Sequence, residues 1–169
     1  MIVLLLVAAG IGYGAFLIWN TPEISQKIGS GFLNMKRYLG LNDERAGFIA
    51  LEKVMLDRWG TGDTDSFLEL AAPEITYFDP SLEKRLDGRE AFEKFLAPLK
   101  GTFRVPRYEI IDPKVQVHGE AAVLSYNMID YDEKEENAFR MNVTEVYARH
   151  DGRWALVHSH FSITKPQIK

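Results

Sequence analysis

The sequence predicts an α+β fold: a curved antiparallel sheet with three helices over one face, preceded by a hydrophobic N-terminal helix. Three observations predict it. Helix-period segments collect between Asn42 and Leu99, while long runs rich in β-branched and aromatic residues fill the chain from Lys114 onward. Segregation of this kind argues for helices covering one side of an antiparallel sheet and against alternating βαβ units. The opening stretch, MIVLLLVAAGIGYGAFLIWN, has no charged side chain and stands apart from everything after it.

Residues 1–20 are read as a single transmembrane anchor or an uncleaved signal. About 20 helical residues at ~1.5 Å each match a hydrocarbon core of ~30 Å. Trp19 sits where an interfacial aromatic belongs, and the basic n-region of a cleaved signal peptide is missing. Lys27, Lys36 and Arg37 follow against the single acidic Glu23. That balance favours a single-pass protein with a cytoplasmic globular domain, extracytoplasmic placement being the alternative. Residues 21–42 form a juxtamembrane amphipathic segment or linker, with Ile24, Ile28, Phe32, Met35 and Leu39 at three- and four-residue intervals.

The globular domain occupies residues 43–169. Asn42 or Asp43 caps a first helix through AGFIALEKVMLDRW, whose Phe48, Leu51, Met55 and Trp59 share a side, and Gly60 and Gly62 stop it. A second helix is predicted from Thr64 or Asp65 through SFLELA, and ITYF alternates as a short strand. GREAFEKFLAPL supplies the third helix, ending at Pro98. Four strands follow in KVQVHG, AAVLSYNMIDY, FRMNVTEVYARH and RWALVHSHFSI, the last two joined by Asp151-Gly152, a type I′ hairpin signal. A strongly bent sheet with helices across its mouth leaves a conical cavity, a natural ligand site.

Composition removes several function classes. The chain of 169 residues suits one domain plus an appendage, and its 46% apolar and 26% charged residues are those of a folded protein. A net charge of -4 gives no general attraction to nucleic acid, so no nucleic-acid partner is expected. With no cysteine, disulfides, thiolate nucleophiles and cysteine zinc sites are excluded. No serine occupies a nucleophile elbow, no glycine loop carries the phosphate-binding Lys-Ser/Thr pair, and no cofactor is implied.

Trp59 to Asp63 in the pattern W-x-x-G-D, a strand ending in Asp79-Pro80, DGREAF at 87–92 and DGRWALVHSHFS at 151–162 occur in this order. Together they resemble the nuclear transport factor 2-like superfamily, in particular its SnoaL-like domains and the association domain of calcium/calmodulin-dependent protein kinase. The resemblance spans roughly residues 43 to 166. It implies a cone-shaped pocket and homodimerisation through the sheet. It is weaker for function, because the fold hosts isomerases, cyclases, assembly domains and adaptors. Where the kinase association domain lines its pocket with arginines, this chain has Glu145 and Phe161.

The candidate site centres on Asp79. An Asp before Pro is either an Asx-type turn former or, by resemblance to ketosteroid isomerase, a general base at a strand end. The same resemblance puts Met55 and Thr144 at that enzyme's two oxyanion donors. Met55 donates nothing and a neutral threonine is a poor electrophile. The pocket is expected to be bounded by Met55, Trp59, Tyr77, Asp79, Tyr126, Asn142, Thr144, His158 and His160. His158 and His160, spaced by two on a strand, are also weighed as a metal pair, but no third ligand pattern accompanies them, and no metal is assigned. The resulting expectation is a membrane-tethered small-molecule-binding or homo-oligomeric assembly module without catalysis. The alternative is an isomerase or cyclase with Asp79 as base and His158 or Tyr126 as donor.

Overall fold

The computed structural model describes residues 43–132, 134, 138–150 and 152–164. Residues 1–42, where the anchor and the amphipathic segment are expected, lie outside the described residues. Among the described residues no helix is long and apolar enough to cross a membrane.

Helix α1 spans Glu44–Gly60 and starts at Asp43, whose side chain accepts a hydrogen bond from the Arg45 amide (3.0 Å). It buries Phe48, Leu51, Glu52, Met55 and Leu56. Its end is set by backbone geometry. A Cβ on Gly60 would lie 2.7 Å from the Val105 carbonyl oxygen, and Gly62 has φ +86°. Helix α2, Asp65–Leu68, is a single turn, shorter than the sequence pattern suggests. The segment after it is drawn into strand β1, Ala71–Phe78, which extends well beyond ITYF. The Leu156 amide donates to the Leu70 carbonyl (2.7 Å), so pairing with the last strand overrides the local helical pattern.

Strand β2, Leu86–Asp87, pairs antiparallel with β1 and leads through Gly88 into helix α3, Arg89–Leu96. A 3-10 turn at Ala97–Leu99, carrying Pro98, ends the helical part. The meander comprises β3 (Arg107–His118), β4 (Ala121–Tyr131), β5 (Ala138–His150) and β6 (Arg153–Ile163). The six strands run in the order β2-β1-β6-β5-β4-β3. Neighbours are antiparallel except β1 and β6, which are parallel. The expected class, α+β with a curved sheet covered by helices, is the one observed.

Strand β3 starts seven residues before KVQVHG, because a register shift between Ile111 and Lys114, with Asp112 at φ 49°, absorbs Pro113. A second shift sets Val146 opposite His158 but Tyr147 opposite Leu156, leaving Val157 as the extra residue on β6. Such bulges bend a sheet and raise its twist, which here curls β3–β6 around the helices. The concave face carries Leu124, Tyr126, Val143, Tyr147 and Leu156, all buried against Phe48, Leu51, Met55, Phe92 and Leu96.

Two polar clamps close the ends. Arg58 of α1 donates to Asp63 (2.6 Å) and, through both terminal nitrogens, to Glu69 (2.8 and 2.9 Å), tying α1 to α2. At the other end the Glu44 carboxylate accepts from Arg149 (2.8 Å) and from the Trp154 indole (3.1 Å), tying α1 to the β5–β6 hairpin.

Candidate functional site

Between the concave sheet and the helices lies a partly open cavity of about 100 Å³. Its depth is apolar, formed by Leu56, Phe92, Leu96, Met128 and Met141. Its rim is aromatic and half-buried: Trp59 and Phe103 have ring centroids 4.7 Å apart, and Phe161 lies 6.2 Å from Tyr77. Three polar side chains besides Tyr77 reach the walls, Asp79, Asp130 and Ser159.

Asp79 follows the end of β1. One oxygen accepts from the Ser81 amide (2.8 Å) and the Ser81 hydroxyl, and the other accepts from the Tyr77 hydroxyl (3.0 Å). The turn former and the pocket carboxylate, set against each other by the sequence, are one residue: an Asx turn closes β1 and holds the carboxylate on the cavity wall. Burial and the neighbouring Asp79 charge hold the Tyr77 hydroxyl well above its ordinary pKa, so Tyr77 remains a donor. Asp130, on β4, receives no hydrogen bond or ion pair among the described residues, and burial pushes it up to about 6.

Of the nine residues expected to bound the pocket, Trp59, Tyr77 and Asp79 do so. Met55 and Tyr126 are buried in the core beneath it. Asn142, Thr144, His158 and His160 stand on the convex face, away from the cavity. Tyr77 and Ser159 are register partners that both line the cavity, so the adjacent partners Thr76 and His158 face the other way. There the Thr76 hydroxyl and His158 Nδ1 are 2.7 Å apart, and Asn127, Asn142 and Ser162 form a polar ladder (2.9 and 3.4 Å). Burial, with His160 next in effect, lowers the His158 pKa. The His158 and His160 ring centroids are 6.3 Å apart, and no group of three or more potential metal ligands occurs among the described residues.

Two buried carboxyls went unassigned by sequence reasoning. Glu52 lies in the apolar stripe of α1 and accepts from the hydroxyls of Tyr126 (2.6 Å) and Tyr147 (3.2 Å). Burial pushes it up to about 7 despite those two donors. Glu145 on β5 accepts one bond, from Ser159 (2.9 Å), and its other oxygen has no partner among the described residues. Burial and repulsion from Glu52 hold Glu145 well above the usual carboxylate range. With fewer donors to stabilise its charge, Glu145 is the member of the pair that keeps its proton. A signal for Glu52 was present: it sits four residues after Phe48 and three before Met55, inside the stripe those residues define.

The site is thus an apolar cone with an aromatic mouth, two carboxylates on its walls and Ser159 as the link to a neutral acid behind it. The Ser159 hydroxyl donates to the neutral Glu145, not to an ionised base, and among the described residues the lining carries no lysine, arginine or histidine.

Comparison with known proteins agrees with this fold. A search of curated proteins returns no match. Among solved structures, a Parabacteroides distasonis protein described as a candidate ketosteroid isomerase is 32% identical, with a TM-score of 0.66 over 74% of this chain and 91% of that one. An NTF2-like protein from Pseudomonas putida is 20% identical, TM-score 0.64, over 70% and 84%. The association domain of C. elegans CaMKII is 23% identical, TM-score 0.59, over 70% and 95%. The latter two show the shared fold. The family model described as the SnoaL-like domain matches residues 53–166, nearly all of the described fold, and the chain therefore belongs to the SnoaL-like domain family.

Proposed function

We propose that the domain is a membrane-tethered binding module that takes a small, mainly apolar molecule into the cone, with residues 1–20 as the tether. The observation that carries this reading is the pairing of an apolar depth with a few fixed polar groups on its wall, the usual composition of a ligand site. The enclosed volume of about 100 Å³ is smaller than the ~150 Å³ apolar cavities that accept benzene, so a larger ligand leaves part of itself at the mouth. Assembly into a homodimer uses the convex face, where Phe78 (36% exposed) and His160 stack with ring centroids 5.2 Å apart beside Thr144.

Isomerase-type catalysis with Asp79 as base is the second reading. It is favoured by the carboxylate on the cavity wall and by the likeness to the Parabacteroides distasonis protein. Binding without catalysis fits better, because proton abstraction beside a carbonyl needs donors aimed at the developing oxyanion. Tyr77 already donates to Asp79, Tyr126 donates to Glu52, and His158 faces away.

Butan-1-ol, a neutral ligand with a short apolar tail, tests the binding reading. Its addition shifts the methyl NMR signals of Met128 and Met141, which line the cone, and leaves that of the core residue Met55 in place. Unchanged Met128 and Met141 signals at millimolar alcohol count against a ligand-accepting cone.

A further inference from the structure

The lining of the cone says more about its ligand than that it is apolar. Six of the lining side chains are aromatic: Trp59, Phe67, Tyr77, Phe92, Phe103 and Phe161. The formally charged groups among them are both acidic, Asp79 and Asp130. Asp79 follows β1 and Asp130 lies on β4, with β6 and β5 between those strands, so the two carboxylates flank the cavity from opposite sides. Both are half-buried, as are Trp59, Phe103 and Phe161 beside them, whereas Leu56, Phe92, Leu96 and Met128 are buried. The two carboxylates and the Trp59, Phe103 and Phe161 rings therefore belong to the mouth, and the depth is apolar, with Phe67, Tyr77 and Phe92 buried there.

Each plausible ligand polarity meets a different response. An anion at this mouth is repelled by two carboxylates and finds no basic side chain among the described lining residues. A neutral polar head can donate a hydrogen bond to the Asp130 carboxylate but brings no counter-charge to a site where burial already penalises its charge. A cation satisfies both features at once. It supplies the missing counter-charge, and it is attracted to the electron-rich faces of Trp59, Phe103 and Phe161.

We infer that the cone selects an organic ammonium ion with a short apolar tail, the tail in the pocket between Phe92, Leu96 and Met128 and the cationic head at the mouth between Asp79, Asp130 and the Trp59–Phe103 pair. This rests on the binding reading above and names the class of molecule bound. The chemistry is that of a primary or quaternary amine, and no covalent step is involved.

Butylammonium and butan-1-ol have the same apolar tail and differ in the charge of the head, so titrating both separates charge recognition from tail burial. Isothermal titration of the full-length protein, with the detergent or lipid carrier alone subtracted, is expected to give butylammonium at least about tenfold tighter binding than the alcohol, in the range of a partly desolvated cation–π and ion-pair contact. In the D79N/D130N double variant, which keeps side-chain shape, the preference of butylammonium over butan-1-ol falls to about twofold or less. The single variants D79N and D130N give the same comparison should the double variant not fold. Equal affinity for the two probes in the unmodified protein, or a preference that survives loss of both carboxylates, overturns the inference and leaves the cone a neutral binding site. Failure of both probes to bind overturns the inference and the binding reading together.

Discussion

Glu52 and Glu145 are the residues whose cost is most visible. Neither is exposed at all, their carboxyls repel each other, and the donors they share number three hydroxyls, from Tyr126, Tyr147 and Ser159. A carboxyl whose folded pKa is raised binds more protons in the folded state than in the unfolded one. Its stabilising contribution is complete below the ordinary value near 4.5 and declines as pH rises through the folded value, about 7 for Glu52 and well above the usual carboxylate range for Glu145. The pair is therefore expected to lower stability between pH 5 and pH 8 by about 1–3 kcal/mol. His158, held below its usual range, acts with the opposite sign in the same window, so each variant is compared with the parent at both pH values. Urea unfolding of Glu145→Gln should show a gain over the parent at pH 8 that shrinks at pH 5. A gain of equal size at both pH values, or a loss confined to pH 8, would contradict neutral burial of this acid.

At the scale of elements, the turn after α1 decides whether the cone has a mouth of the right shape. The Gly60 carbonyl accepts from the Val105 amide (3.1 Å), and the Gly62 carbonyl accepts from the Gly101 amide (2.9 Å), so the helix end is laced to the segment that carries Phe103. Gly60→Ala is expected to destabilise the domain by about 1–3 kcal/mol, because the new methyl meets a backbone oxygen that has no rotamer to change. Alanine's better helix propensity works the other way by at most ~1 kcal/mol. An unfolding midpoint equal to or above the parent's would show that the strand segment moves freely. The strands teach a second lesson. With Trp154 and Leu156 facing in, period-two reading carries His158 and His160 to the same face, but the extra residue at Val157 inverts the alternation, so Ser159 and Phe161 face the cavity. On β5 the polar set Asn142 and Thr144 and the set Met141, Val143, Glu145 and Tyr147 alternate cleanly. Period alone does not say which set is inside, and the mixed chemistry of Glu145 obscured the answer.

For the molecule as a whole, the convex sheet face and the N terminus carry the expectations. Exposed Phe78 beside His160 and the polar ladder of Asn127, Asn142 and Ser162 stand on the face through which pairing is expected. Residues 41–169 are expected to scatter light as at least a dimer at micromolar concentration, against about 15 kDa for a monomer scaled from chain length. The full-length protein is expected to stay with membranes through a carbonate wash, because residues 1–20 carry no charged side chain. A monomer mass, or release of intact protein into the wash, would count against the respective expectation.

The sequence by itself determined the class of fold, the order of helices before the meander, the start of α1 at Asp43 and the strand end at Asp79-Pro80. These are local matters of period, capping and turn chemistry, which neighbouring residues settle among themselves. Trp59, Tyr77 and Asp79, named among the candidate residues, line the cavity, while the other six candidates do not. The tertiary structure alone decided the parallel pairing of β1 with β6, the bulge that turns Ser159 inward and His158 outward, and the burial of Glu52 with Glu145. The strand pairing and the buried acids depend on segments some 80 to 95 residues apart meeting across the sheet, and the bulge depends on the register between β5 and β6. The free energy of such contacts comes from closing the core, a quantity that no single stretch of chain contains.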